Sequence, residues 1–177
     1  MTSRSYQFAG RTFYEVDRID RHGEFGRFCV CSLHELNAAL FGGTGNWSDG
    51  ADAPSHVNYI SEETAPQIKL LAHFGRMISN TDMHDGNLAF LLDMRLAPAY
   101  DMLPMMYAPQ RGAELIERKL NPALPLPNER ESWMRAAKAA VVFLRRVEGD
   151  ERISSAFRQI AKGNAELSDR LVIGQGR

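Results

Sequence analysis

Polar and apolar residues alternate along Arg11-Thr12-Phe13-Tyr14-Glu15-Val16-Asp17-Arg18-Ile19-Asp20, which predicts a strand; Arg21 to Gly26 then reads as a turn before a second strand, Arg27 to Cys31. The pattern next switches to helical spacing. Ser32-Leu33-His34-Glu35 has the form of a capping box and opens a helix running to about Phe41, where Gly42-Gly43 stops it. Thr44 to Asn58 is rich in Gly, Asn, Asp and Ser and reads as an irregular loop. Ser61 to Thr64 offers caps to a second helix with Pro66 in its first turn, and Ile68, Leu71, Phe74, Met77 and Ile78 form its buried face. Leu88 to Leu92 and Leu96 to Ala99 read as the two arms of a hairpin turning at Asp93-Met94-Arg95. Prolines 104, 109, 122, 125 and 127 break the stretch from Met102 to Pro127, apart from a short segment around Glu114 to Lys119. Asn128 to Glu131 opens a helix to about Val147, with Trp133, Ala137, Ala140, Val141, Leu144 and Val147 on one face, and shorter helices are predicted at about 151–161 and 165–172. The fold class expected is α+β and mostly helical, in one domain over residues 1–177, without internal repeats.

Composition changes this picture little. A chain of 177 residues, 44% hydrophobic and 24% charged, is ample for one core. The net charge of −1 gives no broad electrostatic reason to bind nucleic acid directly. No apolar run approaches the roughly 20 residues that span a bilayer, and Met-Thr-Ser-Arg-Ser-Tyr has no signal-peptide core, so a cytoplasmic protein without membrane contact is expected. Cys29 and Cys31 lack further metal ligands at useful spacing and read as structural thiols.

The chemistry concentrates in Thr81-Asp82-Met83-His84-Asp85-Gly86-Asn87 and in Ala99-Tyr100-Asp101. Asp82 and Asn87 have the separation of the Asp and Asn in a kinase catalytic loop, H-R-D-x-x-x-x-N, where the Asp orients or deprotonates the acceptor hydroxyl and the Asn holds magnesium. A strand of this length reaches roughly 17 Å at about 3.3 Å per residue, and an equal return brings Asp101 back beside Asn87. Two oxygen ligands so placed suit a Mg²⁺ that keeps waters and nucleotide phosphates as its other ligands. Each residue also has a plainer role: Asp82 and Asp101 as turn formers, Asn87 as a loop cap, and Asp85, in an Asp-Gly pair, as a turn residue, which is the preferred reading for Asp85. His84 either stabilises charge on the transferred group or braces the loop by bonding a backbone carbonyl. It is the joint spacing of Asp82, Asn87 and Asp101 that turn chemistry leaves unexplained. His22, His34, His56 and His73 have no mutual metal spacing, and Met102, Met105 and Met106 read as core filling.

At Asn80 to Asn87 and at Leu96-Ala97-Pro98-Ala99-Tyr100-Asp101-Met102-Leu103-Pro104 the chain resembles the HipA-like serine/threonine kinases, the toxins of bacterial toxin–antitoxin systems. Weaker support comes from Val16-Asp17-Arg18-Ile19-Asp20-Arg21, and the Tyr-Asp-Met-Leu-Pro-Met run resembles the YjjJ-type branch, described as HipA-like toxins or transcriptional regulators. The resemblance implies the C-terminal lobe of a protein-kinase-like fold, with short hairpins at the hinge and the metal site. It implies ATP and Mg²⁺ as cofactors, Asp82 as catalytic Asp, Asn87 and Asp101 as magnesium ligands, and Glu15, Val16 and Asp17 facing the adenine. It also implies a protein substrate with a Ser/Thr acceptor, an antitoxin as partner, and contact with DNA only through a partner or a further domain.

The sequence lacks a glycine-rich phosphate-covering loop followed by a strand lysine. The expectation is therefore a fragment, a lobe inactive in isolation. Two other functions fit the same residues: a non-catalytic kinase-like scaffold in a transcriptional regulator, and a small-molecule phosphotransferase.

Overall fold

The computed structural model describes residues 2–41, 47, 59–61, 63–108 and 118–175. Its first element is a hairpin of β1 (Ser3–Phe8) and β2 (Arg11–Val16), in which Ser3 lies opposite Val16 and Phe8 opposite Arg11. Ala9 and Gly10, at φ 48° and 72°, close it with the left-handed pair that a two-residue hairpin turn requires. This corrects the expected first hairpin, which paired a strand from Arg11 with one ending at Cys31. Short β3 (Arg21–His22) and β4 (Gly26–Arg27) instead pair with each other, and β5 (Val30–Ser32) pairs with β6 (Ala89–Leu91), Val30 opposite Leu91. Cys29 is exposed, Cys31 half-buried, and both are free thiols.

The Ser32 box caps α1 (Leu33–Leu36) as expected: Ser32 Oγ accepts from the Glu35 N–H at 3.2 Å and Glu35 Oε2 accepts from the Ser32 N–H at 2.7 Å. The chain then widens into a π turn over Asn37–Phe41 rather than continuing as α-helix. Gly42-Gly43, the expected loop from Thr44 to Asn58 apart from Trp47, and most of the segment around Glu114 lie outside the described residues.

α2 (Thr64–Met77) buries Ile68, Ala72 and Met77, with Leu71 and Phe74 half-buried beside them. α3 (Arg130–Gly149) buries Trp133, Ala137, Ala140 and Leu144 of the anticipated face, with Val141 and Val147 half-buried, and Ala136 besides. The last two predicted helices are one, α4 (Ser155–Gln175). Gly163-Asn164 does not break it, because Asn164 is buried and its Nδ2 donates to the Tyr107 hydroxyl at 2.9 Å. α3 packs against both α2 and α4, and alanines at 137, 140, 161 and 165 keep these helices close. Asp150 turns the chain between α3 and α4: its Oδ1 accepts from the Arg152 N–H at 3.0 Å, and the Arg152 guanidinium holds its carboxyl down to about 2. Among the described residues no helix is long and apolar enough to cross a membrane.

Two apolar clusters matter for the site. Leu33, Leu36, Trp47, Ile68, Leu88 and Phe90 lie between α1, α2 and β6, whereas Met77, Ile78, Trp133, Ala137 and Ala140 join α2 to α3; Met102 packs against both. His73 is buried on α2 with no partner for Nε2, and burial pushes its imidazole below the ordinary value of 6.5. The folded state thus prefers the neutral ring. Stability from this residue is complete above about pH 6.5 and falls as pH drops below it, because the unfolded chain takes up a proton that the fold refuses. A plot of Tm between pH 8 and 5 should accordingly be steeper for the native chain than for His73→Gln, by up to roughly 1.4 kcal/mol per pH unit in stability. Parallel curves would mean that His73 is protonated in the fold.

Candidate functional site

α2 ends in a Schellman motif. The Asn80 N–H reaches the Gly75 carbonyl at 2.8 Å and the Ser79 N–H the Arg76 carbonyl at 3.2 Å, with Ser79 left-handed at φ 66°. This sharp stop delivers Asn80, only 5% exposed, to the centre of the site. Its Oδ1 accepts from the Asp82 N–H at 2.9 Å, and its Nδ2 donates to the Asp101 carbonyl at 3.3 Å. Asn80 therefore ties the first motif to the second.

Asp82 is held at its other end by Asn87, whose Nδ2 donates to the Asp82 carbonyl at 2.8 Å. That bond uses the amide nitrogen and leaves Asn87 Oδ1 as the atom available to a cation. The Asp82 backbone is thereby pinned on both sides while its carboxylate is exposed. Asp101 is also exposed and sits at φ 54°, a conformation that Asp and Asn adopt more readily than most side chains. The hairpin between the motifs is short: Leu91 N–H bonds the Arg95 carbonyl at 2.9 Å, Ala97 N–H the Ala89 carbonyl at 2.8 Å, and Phe90 bridges to Leu96.

His84 and Asp85 open the 3₁₀ turn Asp85–Asn87. His84 Nδ1 accepts from the Gly86 N–H at 3.1 Å, so the ring braces the loop from its acceptor nitrogen, the second of the two roles weighed above, though against an amide and not a carbonyl. A Cβ on Gly86 would lie 2.9 Å from two atoms of that ring, so a larger residue would have to push the imidazole aside. A Cβ on Gly75 would lie 2.1 Å from Met83 Sδ, so a larger residue there would displace the Met83 side chain, next but one in the chain to Thr81. Asp85 starts a turn as expected but is not a surface residue: it is 6% exposed, and its Oδ2 accepts from Asn37 Nδ2 at 2.7 Å.

Tyr100 closes the other side. Its hydroxyl donates to the Gly86 carbonyl at 2.7 Å, and burial, with the charges of Asp101 and Glu35 behind it, pushes its pKa up, so it remains the donor. Tyr100 and Ala89 also form the floor of a cavity of about 370 Å³ walled by Val16, Asp17, Arg18, Ile19, Asp20 and Val30. This is within the range of roughly 300–1,000 Å³ usual for small-ligand sites. Of the three residues expected to face the adenine, Val16 and Asp17 line this cavity and Glu15, in β2 opposite Arg4, does not. The Asp17 N–H is already bonded to the Thr2 carbonyl at 3.0 Å. Asn80 and Tyr100 are the residues that sequence reasoning passed over, and the Asn80-Thr81-Asp82 spacing of an Asx turn was the available signal for the first of them.

Toxin YjjJ of Escherichia coli (strain K12) is 34% identical to the chain over 155 residues, covering 86% of the chain and 35% of that protein, so the chain spans about a third of the length of this relative. The resemblance to the YjjJ-type branch is thus borne out. The HipA-like C-terminal domain family matches residues 1–166, and it is to this family that the chain belongs.

Proposed function

We propose that the chain is the catalytic lobe of an ATP- and Mg²⁺-dependent serine/threonine protein kinase of the toxin class. The observation that supports this reading is that the cavity is lined by residues adjoining the carboxylate loop in the chain: Ala89 stands two residues after Asn87, and Tyr100 immediately precedes Asp101. Val16, Ile19, Val30 and Ala89 would hold the nucleotide base, and Asn87 and Asp101 would serve the metal and phosphates.

The donor set fits a hard cation, with one amide oxygen from Asn87 and a carboxylate from Asp101, the remaining positions being left to water and phosphate. Bound there, Mg²⁺ supplies charge neutralisation to the phosphates. Asp82 receives the acceptor hydroxyl: its carboxylate is exposed, and its backbone cannot swing because Asn80 and Asn87 hold both ends. His84 keeps the turn in shape and Tyr100 fixes the carbonyl of Gly86. A seryl or threonyl side chain of a protein is the acceptor that the family's kinase character supports, and an antitoxin is the partner suited to a toxin relative.

The test is the magnesium requirement of Asp101→Asn, measured as ATP binding and as labelled phosphate transfer in the protein that carries this chain. Asn tolerates the left-handed backbone, so the variant removes charge with little strain. The Mg²⁺ concentration for half-maximal binding should rise about tenfold or more, as expected from losing one charge-assisted ligand. An unchanged requirement would remove Asp101 from the metal site, and absence of ATP binding by the native protein would favour the scaffold reading.

A further inference from the structure

The loop bearing Asp82 and Asn87 is fastened from the far side too. Leu33 N–H bonds the Leu88 carbonyl at 2.8 Å, Trp47 Nε1 donates to the His84 carbonyl at 2.9 Å, and Asn37 Nδ2 donates to Asp85 Oδ2 at 2.7 Å. The third bond differs in kind. It joins two side chains 48 residues apart, one 2% and the other 6% exposed. Burying a carboxylate without a cationic partner is costly, and Asn37 gives this one a single N–H. Asn37 Oδ1 and Asp85 Oδ1 are buried with no hydrogen-bond partner among the described residues. Turning the Asn37 amide over would set its oxygen against the carboxylate, so the contact fixes which way it points.

For stability alone, an apolar pair of the same volume would serve as well or better than this half-satisfied one. What an apolar pair could not do is set direction. Asp85 is the first residue of the single turn that ends at Asn87, and Asn87 holds the Asp82 carbonyl. On the other side, Asn37 is the residue at which α1 widens into its π turn, a local departure of the kind often found beside functional sites.

We propose that Asn37 is a positioning residue for the phosphoryl-transfer loop: acting through Asp85, it sets the turn that carries Asn87 and, through Asn87, the backbone of Asp82. This deepens the kinase reading above and rests on its assignment of Asn87 and Asp82.

Two measurements on the protein that carries this chain test it: backbone hydrogen exchange over residues 84–88, with α3 as internal reference, and the Mg²⁺ dependence of ATP binding by calorimetry. Asn37→Ala should speed exchange in the loop about tenfold or more relative to α3, the equivalent of one hydrogen bond to a charged group, and should raise the Mg²⁺ requirement by a similar factor. Asp85→Asn keeps an acceptor for Asn37 and should leave loop protection close to native. The exchanged pair Asn37→Asp with Asp85→Asn restores the bond with reversed polarity and should recover most of both losses. Exchange that rises uniformly along the chain in Asn37→Ala, or a loosened loop with an unchanged Mg²⁺ requirement, would reduce Asn37 to a structural residue and overturn the proposal. If the native protein binds no Mg·ATP while Asn37→Ala still loosens residues 84–88 selectively, the clamp on the loop stands and the kinase reading falls.

Discussion

Asp82→Asn is expected to lower phosphoryl transfer about a thousandfold while leaving ATP affinity within a factor of about three, the pattern of an interaction made mainly in the transition state. The argument starts from the backbone. Because the Asp82 N–H is held by Asn80 at 2.9 Å and its carbonyl by Asn87 at 2.8 Å, an isosteric change at the exposed carboxylate leaves the loop unmoved. What is lost is the ability to accept a proton from, or align, the attacking hydroxyl. An amide at this position still occupies the volume and still bonds weakly, but it accepts no proton at neutral pH. Steady-state kinetics with a protein acceptor and calorimetry with Mg·ATP separate the two quantities. Turnover within tenfold of native would take the catalytic role away from Asp82.

Asn80→Ala should do more than any single carboxylate change, because it acts on both arms of the site. Truncation leaves the Asp82 N–H and the Asp101 carbonyl without their partner in a region where Asn80 itself is 5% exposed. Each unpaired group costs about 1–3 kcal/mol, and the 3.3 Å bond to Asp101 belongs at the lower end, so a total of about 2–4 kcal/mol is expected in urea denaturation. The kinetic signature is the distinguishing one: turnover falls and the magnesium requirement rises together, whereas Asp82→Asn moves the first and Asp101→Asn the second. Asn80→Asp, which keeps the acceptor for Asp82 and loses the donor to Asp101, should fall between. A variant that melts earlier yet retains native turnover and magnesium dependence would show that Asn80 is a helix terminator only.

How much of this was legible in the sequence depends on the range of the interaction concerned. α2 and α3 were readable because their apolar positions recur at helical spacing, and the Ser32 capping box because both its bonds close within one turn. The short hairpin between Asn87 and Asp101 was readable from the two apolar runs on either side of Asp93-Met94-Arg95, and it is present as inferred. Glu15 was placed beside the cavity by likeness of a neighbouring segment alone, and the structure carries it away into an exposed strand. β1 was missed because its first half, Ser3-Arg4-Ser5, carries no apolar alternation. The continuous α4 was missed because Gly163-Asn164 has the local look of a break, and the bond that keeps Asn164 helical comes from Tyr107, far away in sequence. The same holds for β5 with β6, for Asn80 with Asp101 and for Asn37 with Asp85. Each joins residues whose local context gives no sign of the other.

The closeness of α3 and α4 along the chain has a consequence for the order of assembly. These helices meet across the short turn at Asp150, so the entropy lost in bringing them together is small, and α2 can dock on α3 through Trp133 once that pair exists. The clamp between Asn37 and Asp85 closes a far longer loop of chain, 48 residues, and gains little until both of its ends are already packed. Loop closure therefore predicts that α3 and α4 pair first, and that the docking of α2, whose Met77 lies 56 residues before Trp133, and the closing of the loop clamp both follow. Substitutions in the loop would hasten its local opening and hardly alter the speed at which the helices come together, whereas a cavity at Trp133 would slow that step itself.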